Sequence, residues 1–349
     1  PVRTFPDTIG AADRERLTER YRVAITDELY PAMRRLRDYL QADYLPDARE
    51  GHGLVHMKGG ERLYTYLVQS TTTLPLSPEQ IHSTGLAEVA RITSEFEKVK
   101  AEVGFTGSLA DFFDHIRTTP ELRPESREAL TQAYYDVGKK VEPLLPRYFS
   151  KLPKAKLEIR PYEEFREKFE AGGSYEQGTP DGSRPGVFYF NAYDLPSRTT
   201  PGQTSLYLHE GAPGHHFQIM LARENDALPP FMRFGGSTAF QEGWALYSET
   251  LGYDMGFYDD PIQRFGTLSA EMLRAMRLVV DTGIHSKGWT REQAIDYMMS
   301  HSDMGKTDVT AEVERYIAIP SQALGYKIGA MKIQQLRRKA EAELGGKFD

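Results

Sequence analysis

Along residues 11–43, apolar positions recur at spacings of two to four among charged ones: Leu17, Tyr21, Val23, Ile25, Leu29, Met33, Leu36 and Leu40. That period predicts one long amphipathic helix. "LSPEQIHSTGLAEVARITSEFEKVKAEVG" predicts another, because Ser77-Pro78-Glu79 has the chemistry of a helix start and Gly104 that of a stop. "PESREALTQAYYDVGKKVEPLL", from Pro124, opens in the same way. Residues 1–170 thus read as a helical N-terminal part. The pattern changes over 171–203. "AGGSYEQGTPDGSRPG" is turn-rich, and "VFYFNAYDL" is an aromatic and β-branched run that predicts an edge strand. "PSRTTPGQTS" follows as a loop. Residues 204–349 are helical again, with helices expected near 237–256, 261–287, 290–302 and 308–343. There is no internal repeat, low-complexity tract or interdomain linker. The expected fold is mainly α with a small β element, in one continuous body of 349 residues.

Composition narrows the chemistry. The chain is 40% hydrophobic and 27% charged, ordinary for a globular protein, and its net charge of −7 carries no nucleic-acid footprint. Cysteine is absent, so disulfides and thiolate sites are excluded, and a transition-metal site must use His and carboxylate. No apolar run approaches the roughly 20 residues that span a membrane.

The candidate chemistry lies in "SLYLHEGAPGHHFQIML", residues 205–221. H-E-x-x-H on a helix puts two imidazoles on one face with a glutamate beside them. Here the second histidine comes late. In a regular helix His215 is turned about 240° from His209 and lies about 9 Å along the axis. His216 recovers the facing but lies about 10.5 Å away. Neither pair could share one ion with bonds of about 2.0–2.1 Å. Pro213, with Gly211 and Gly214 beside it, breaks that regularity. With two residues of "GAPG" bulged out, His215 stands where an i+4 histidine would; His216 requires three.

A third ligand is expected from "FQEGWALYSE", whose Glu242 and Glu249 are spaced i, i+7 on one helix face. Glu242, next to Gly243, is the better ligand, and Glu249 could orient a ligating histidine. Farther along, His285 follows Asp281 by four residues, so the carboxylate could orient its ring. Asn191 in the strand could bond a substrate backbone by strand addition. Arg315 could pair with a substrate carboxylate.

"HEGAPGHH", "FQEGWALYSE", "VVDTGIHSKGWTREQAI", "RYIAIPSQALGYKIG" and "TTTLPLSPEQIHSTGLAEVARI" together resemble the bacterial domain of unknown function 885, from about residue 50 to 335. That resemblance implies a zincin-like metallopeptidase fold whose active-site helix is interrupted at Pro-Gly, and a His-His-Glu site for one zinc ion. Members are usually longer at the N-terminus, so the chain is expected to be a C-terminal catalytic portion. "GHHFQ" is similar to the G-H-x-x-Q ending of angiotensin-converting-enzyme-like peptidases, which selects His215 over His216. Arg315-Tyr316 resembles the Arg-Tyr pair of those enzymes. It implies Tyr316 as first choice, and Tyr326 as second, for the donor that steadies the reacting carbonyl, both on one late helix.

The expectation is a zinc metallopeptidase acting on a peptide or small amide. His209, His215 and Glu242 would hold the metal, with Glu210 as general base. Its alternatives are a zinc amidase or esterase for a non-peptide substrate and a non-catalytic metal-bearing scaffold. An extracytoplasmic location is favoured over a cytoplasmic one.

Overall fold

The structure, a computed structural model, describes residues 4–195 and 198–348. The chain falls into two compact units, residues 1–51 and 52–349, rather than the one body the sequence predicts. The division lies in the polar, Gly-containing stretch that follows the first helical run.

In the first unit, α1 (Ala11–Val23) and α2 (Tyr30–Tyr39) are joined by a widened helical turn, Ala24–Leu29, and followed by another, Leu40–Tyr44. The helical path therefore continues over the predicted span. The first widened turn directly precedes Pro31, which has no N–H to offer the preceding turn.

The second unit opens with α3 (Gly60–Thr72) and α4 (Pro78–Glu102). Ser77 and Gln80 cap α4 reciprocally, and Gly104 takes a φ of 72° beyond its end, as the start and stop residues predict. Then come α5 (Leu109–Thr118), α6 (Arg127–Val141) and the short α7 (Leu145–Tyr148).

The small sheet holds β1 (Leu157–Pro161), β2 (Gly173–Glu176) and β3 (Gly186–Phe190) in the order β1-β3-β2. β3 lies parallel to β1 and antiparallel to β2. The predicted edge strand is thus the central one. Its apolar residues lack the alternation of a half-exposed strand because both faces are covered, and Val187, Phe188 and Phe190 are buried. The two edges are β2, inside the segment read as turns, and β1, in the part read as helical.

The remaining chain forms α8 (Gln203–Glu210), α9 (His215–Glu224), the short α10 (Pro230–Phe234), α11 (Thr238–Asp254), α12 (Pro261–Lys287), α13 (Arg291–His301), α14 (Lys306–Ala318) and α15 (Leu324–Leu344). The single helix expected over 308–343 is two. Pro320 disfavours helical backbone at Ile319 and supplies no donor, and Ser321 takes a φ of 70°.

α12 is the axis of this unit, and every residue from Ala275 to His285 on it is buried. A helix enclosed on all sides must satisfy its polar groups locally. Tyr64 donates to Asp281 at 2.6 Å, and Thr282 bonds His82 at 2.8 Å. One apolar cluster joins α12 to α4, α5, α13 and α14 through Phe96, Phe112, Phe265, Met276, Met298 and Val313. A second packs the sheet against α6, α8 and α9 through Tyr134, Phe188, Phe190, Tyr207 and Phe217.

α11 and α15 cross at two glycines. A methyl group on Gly243 would lie 2.6 Å from the Gly329 backbone, and one on Gly329 would lie 2.0 Å from the Ala239 carbonyl. Because the obstacle is backbone, Gly329→Ala is expected to cost about 1–3 kcal/mol and to lower the thermal midpoint by several degrees. Gly346→Ala, with nothing within 4 Å of the added carbon, should leave the midpoint unchanged in the same calorimetric scan.

Candidate metal centre

The site begins where α8 stops. Gly211, Ala212, Pro213 and Gly214 leave the helical path between α8 and α9, with a cis Ala212–Pro213 peptide. Gly214 is the position that permits this course: a Cβ there would lie 1.9 Å from the His209 carbonyl oxygen and 2.3 Å from that of Leu208. α11 fixes the break from the outside. The Trp244 indole donates to the Pro213 carbonyl at 2.8 Å, and the Ser248 hydroxyl reaches the same oxygen at 3.4 Å.

The break brings His209 and His215 together, their rings perpendicular with centroids 4.9 Å apart. Glu242, from α11, enters between them. Its Oε2 lies 3.6 Å from His209 Nε2 and 3.3 Å from His215 Nε2. Four ligands held tetrahedrally at about 2.1 Å from a zinc ion stand about 3.4 Å from one another. The donor atoms of His209, His215 and Glu242, all within 4.8 Å of one another, therefore fit one such ion in both spacing and chemistry. His216, the competing ligand, turns away. It is buried against β2, with its Nδ1 2.9 Å from the Tyr175 hydroxyl, and desolvation brings its pKa down to about 4.

A second layer orients His209. Its Nδ1 donates to Glu249 Oε1 at 2.7 Å, the Ser205 hydroxyl donates to the other carboxylate oxygen, and the Arg274 guanidinium stands 3.9 Å from Oε1. That bond commits Nε2 to the side of Glu242. Burial opposes the imidazolium at His209, but the Glu242 and Glu249 carboxylates outweigh it and push the pKa up to about 9. Desolvation likewise opposes the Glu242 carboxylate, yet the two imidazoles hold it well below the usual carboxylate range.

The cluster opens into a cleft of about 550 Å³. Glu210 lines it, 7% exposed, and its carboxylate takes no hydrogen bond among the described residues. Tyr326 lines it too, its ring nearly parallel to that of His209 at 6.3 Å. Arg315 donates to the Tyr326 oxygen at 3.4 Å, and to Gln322 and Glu312. The edge strand β2 forms one wall through Gly173, Ser174 and Tyr175.

Three candidates fall elsewhere. Asn191 is buried; its amide nitrogen donates to the carbonyls of Glu167, Glu170 and Ala171, while its oxygen accepts from the Tyr193 N–H. It ties down the turn before β2 and has no donor left for a substrate. His285 has no exposed surface; its ring bridges the Leu54 N–H and the Tyr316 carbonyl, joining helices rather than meeting solvent. Asp281, expected to orient that ring, accepts from Tyr64 and from the Ser321 N–H. Tyr316 is 1% exposed and gives its proton to Glu312 at 2.5 Å, so Tyr326, on a different helix, is the cleft-facing tyrosine. Sequence reading missed Arg274 and Arg277, which line the cleft from α12. Sequence gives them no distinctive signal, because α12 also carries Arg264, Glu271, Asp281 and Lys287.

The break is testable through the metal. Gly214→Ala should lower zinc affinity at least tenfold, measured by elemental analysis after dialysis, while circular dichroism stays native. A metal bound at His209 would compete with a proton on that imidazole. The stability contributed by its raised pKa is fully present below 6.5 and is lost as pH rises through about 9. Chelator-treated protein should therefore lose thermal stability over that interval, and zinc binding should tighten across it.

The comparisons agree with this architecture. A crystal structure of a candidate lipoprotein from Colwellia psychrerythraea superposes with a TM-score of 0.94 at 35% identity, covering 98% of this chain and 60% of that one. A candidate lipoprotein of unknown function from Shewanella oneidensis gives 0.72 at 19% identity, covering 98% and 64%, and shows the fold alone. The chain thus spans less than two thirds of either structure's length. No curated protein matches. The family match extends over residues 1–349, wider than the span of about 50–335 read from the motifs and not confined to a C-terminal portion. The chain belongs to the bacterial proteins of unknown function designated DUF885.

Proposed function

We propose that this chain is a zinc-dependent hydrolase of peptide bonds. One observation carries the reading: three donor atoms at ligand spacing share a cleft with an uncommitted buried glutamate. A scaffold that only binds metal has no use for a base beside its ligands, whereas a hydrolase requires one.

His209, His215 and Glu242 would hold the ion, and Glu249 fixes the ring of His209. When bound, zinc supplies a water of lowered pKa and polarises a carbonyl. Glu210 takes the proton from the attacking water and passes it to the leaving amine. Because Arg315 donates to the Tyr326 oxygen, the phenol proton is free to be given to the substrate carbonyl as negative charge develops there. The unpaired side of β2 offers backbone donors and acceptors to an extended chain, which favours a peptide over a compact ester or amide. The role foreseen for a strand at Asn191 passes to the backbone of Gly173–Tyr175.

The extent of the Colwellia psychrerythraea likeness supports an extracytoplasmic placement, since that protein is described as a candidate lipoprotein. No helix among the described residues is long and apolar enough to cross a membrane.

Glu210→Gln should keep full zinc content and lose hydrolysis of a peptide panel by roughly a hundredfold to ten-thousandfold. His209→Ala should lose the metal. Undiminished turnover in the first variant, or equal metal in both, sinks the reading. Turnover of simple esters with none of peptides would move the substrate class.

A further inference from the structure

Resting on that hydrolase reading, we infer that the cleft carries a carboxylate subsite built by Arg274 and Arg277, and that the substrate is a peptide whose free C-terminal carboxylate lies within a few residues of the scissile bond.

Both arginines come from α12, the most enclosed helix of the unit, and both line the cleft. Their side chains are 13% and 5% exposed. Arg277 pairs with Glu312 at 2.8 Å through Nη2, and its Nε reaches the Glu312 carboxylate and the Tyr316 hydroxyl. Its Nη1 is buried with no partner among the described residues, as is Nε of Arg274. Buried guanidinium donors left without an acceptor cost free energy, and the donor set of a guanidinium fork matches a carboxylate. Glu312 does not cancel the field, because Arg315 shares it, at 3.4 Å. Arg274 has Glu249 at 3.9 Å, and that carboxylate is already committed to His209 and Ser205.

Charge bookkeeping in the cleft points the same way. Glu210, Glu242 and Glu312 balance Arg274, Arg277 and Arg315 among the lining residues. With Glu249 behind Arg274 counted as well, a divalent ion on the His-His-Glu cluster leaves one positive charge in excess, in a protein whose net charge is −7. A half-enclosed cleft focuses that local excess on an anionic ligand.

Tyr326 sets the reach. Its ring centroid lies 4.4 Å from the Arg277 Cζ and 6.3 Å from the His209 ring. The guanidinium is therefore no farther from the ligating imidazole than about three residues of extended peptide, at roughly 3.5 Å each. A carboxylate held by Arg277 would place one to three residues between itself and the reacting bond.

The test uses the zinc-loaded full chain carrying Glu210→Gln, so that binding is read without turnover. Three probes are compared by calorimetry: N-acetyl-tetra-alanine with a free C-terminus, its C-terminal amide, and the amide with glutamate at the last position. The free acid should bind at least tenfold more tightly than the plain amide, the loss expected when a charge-assisted bond is removed. Adding Arg274→Gln should erase most of that preference, and Arg277→Lys should reduce it. The dependence on arginine separates the subsite from direct ligation of the ion. Equal binding of acid and amide, or a preference untouched by either arginine variant, overturns the inference. If the glutamate amide matches the free acid, the assignment to a C-terminal carboxylate is overturned, because a side-chain carboxylate then serves as well. If the wild-type chain cleaves none of the probes while the acid preference persists, the hydrolase reading fails and the subsite remains.

Discussion

The site depends on one interruption of a helix. Leu208 and His209 present their carbonyls where the backbone of residue 214 must pass, and glycine alone fits there. Without the break, the two imidazoles would point about 120° apart and lie about 9 Å from each other along one axis. With it, they meet a carboxylate from another helix at spacings of 3.3 and 3.6 Å. The break is not left to local preference, since the Pro213 carbonyl it exposes is taken up by Trp244 and Ser248. The helix that carries Glu242 thus also holds His209 and His215 in place.

Buried charge is the second theme. Glu249, Arg274, Arg277, Glu312 and Lys327 are largely enclosed, and each has at least one opposite charge within about 4 Å. Lys327, one residue beyond Tyr326, pairs with Glu88 and Glu271 at 2.7 and 2.6 Å on the other side of α15. Such networks contribute little net stability, because desolvation offsets most of the attraction. Their value is geometric. Glu249 sets the tautomer of His209, Glu312 spaces Arg277 from Arg315, and the Lys327 pairs help fix the rotation of α15 that turns Tyr326 into the cleft.

The enclosed α12 links these parts. Its apolar residues form the core with α4 and α14, while Arg274 and Arg277 reach the cleft and Asp281 and His285 tie α3, α14 and the turn at Ser321 to one another. The same four polar residues on one buried helix therefore divide into a functional pair and a structural pair. Which pair meets the cleft depends on how far along the helix each stands.

The sequence by itself determined the local features. The helix start at Ser77 and stop at Gly104 follow from backbone chemistry within a few residues, and so does the interruption at Gly211–Gly214, whereas the equally local stop at Pro320 is passed over inside one long periodic pattern. Donor types at His209, His215 and Glu242 were legible because their spacing around that interruption leaves few ways to meet. Tertiary structure alone decided what depended on burial and on contacts between distant segments. The strand at 186–190 became central because β1 and β2, weak as patterns, cover both of its edges. Asn191, His285 and Tyr316 have the residue types of a site, yet other elements enclose them and occupy their polar atoms. Tyr326, Arg274 and Arg277 entered the cleft through helix rotations that no local pattern records, because packing between helices, not propensity within them, sets which face each one shows.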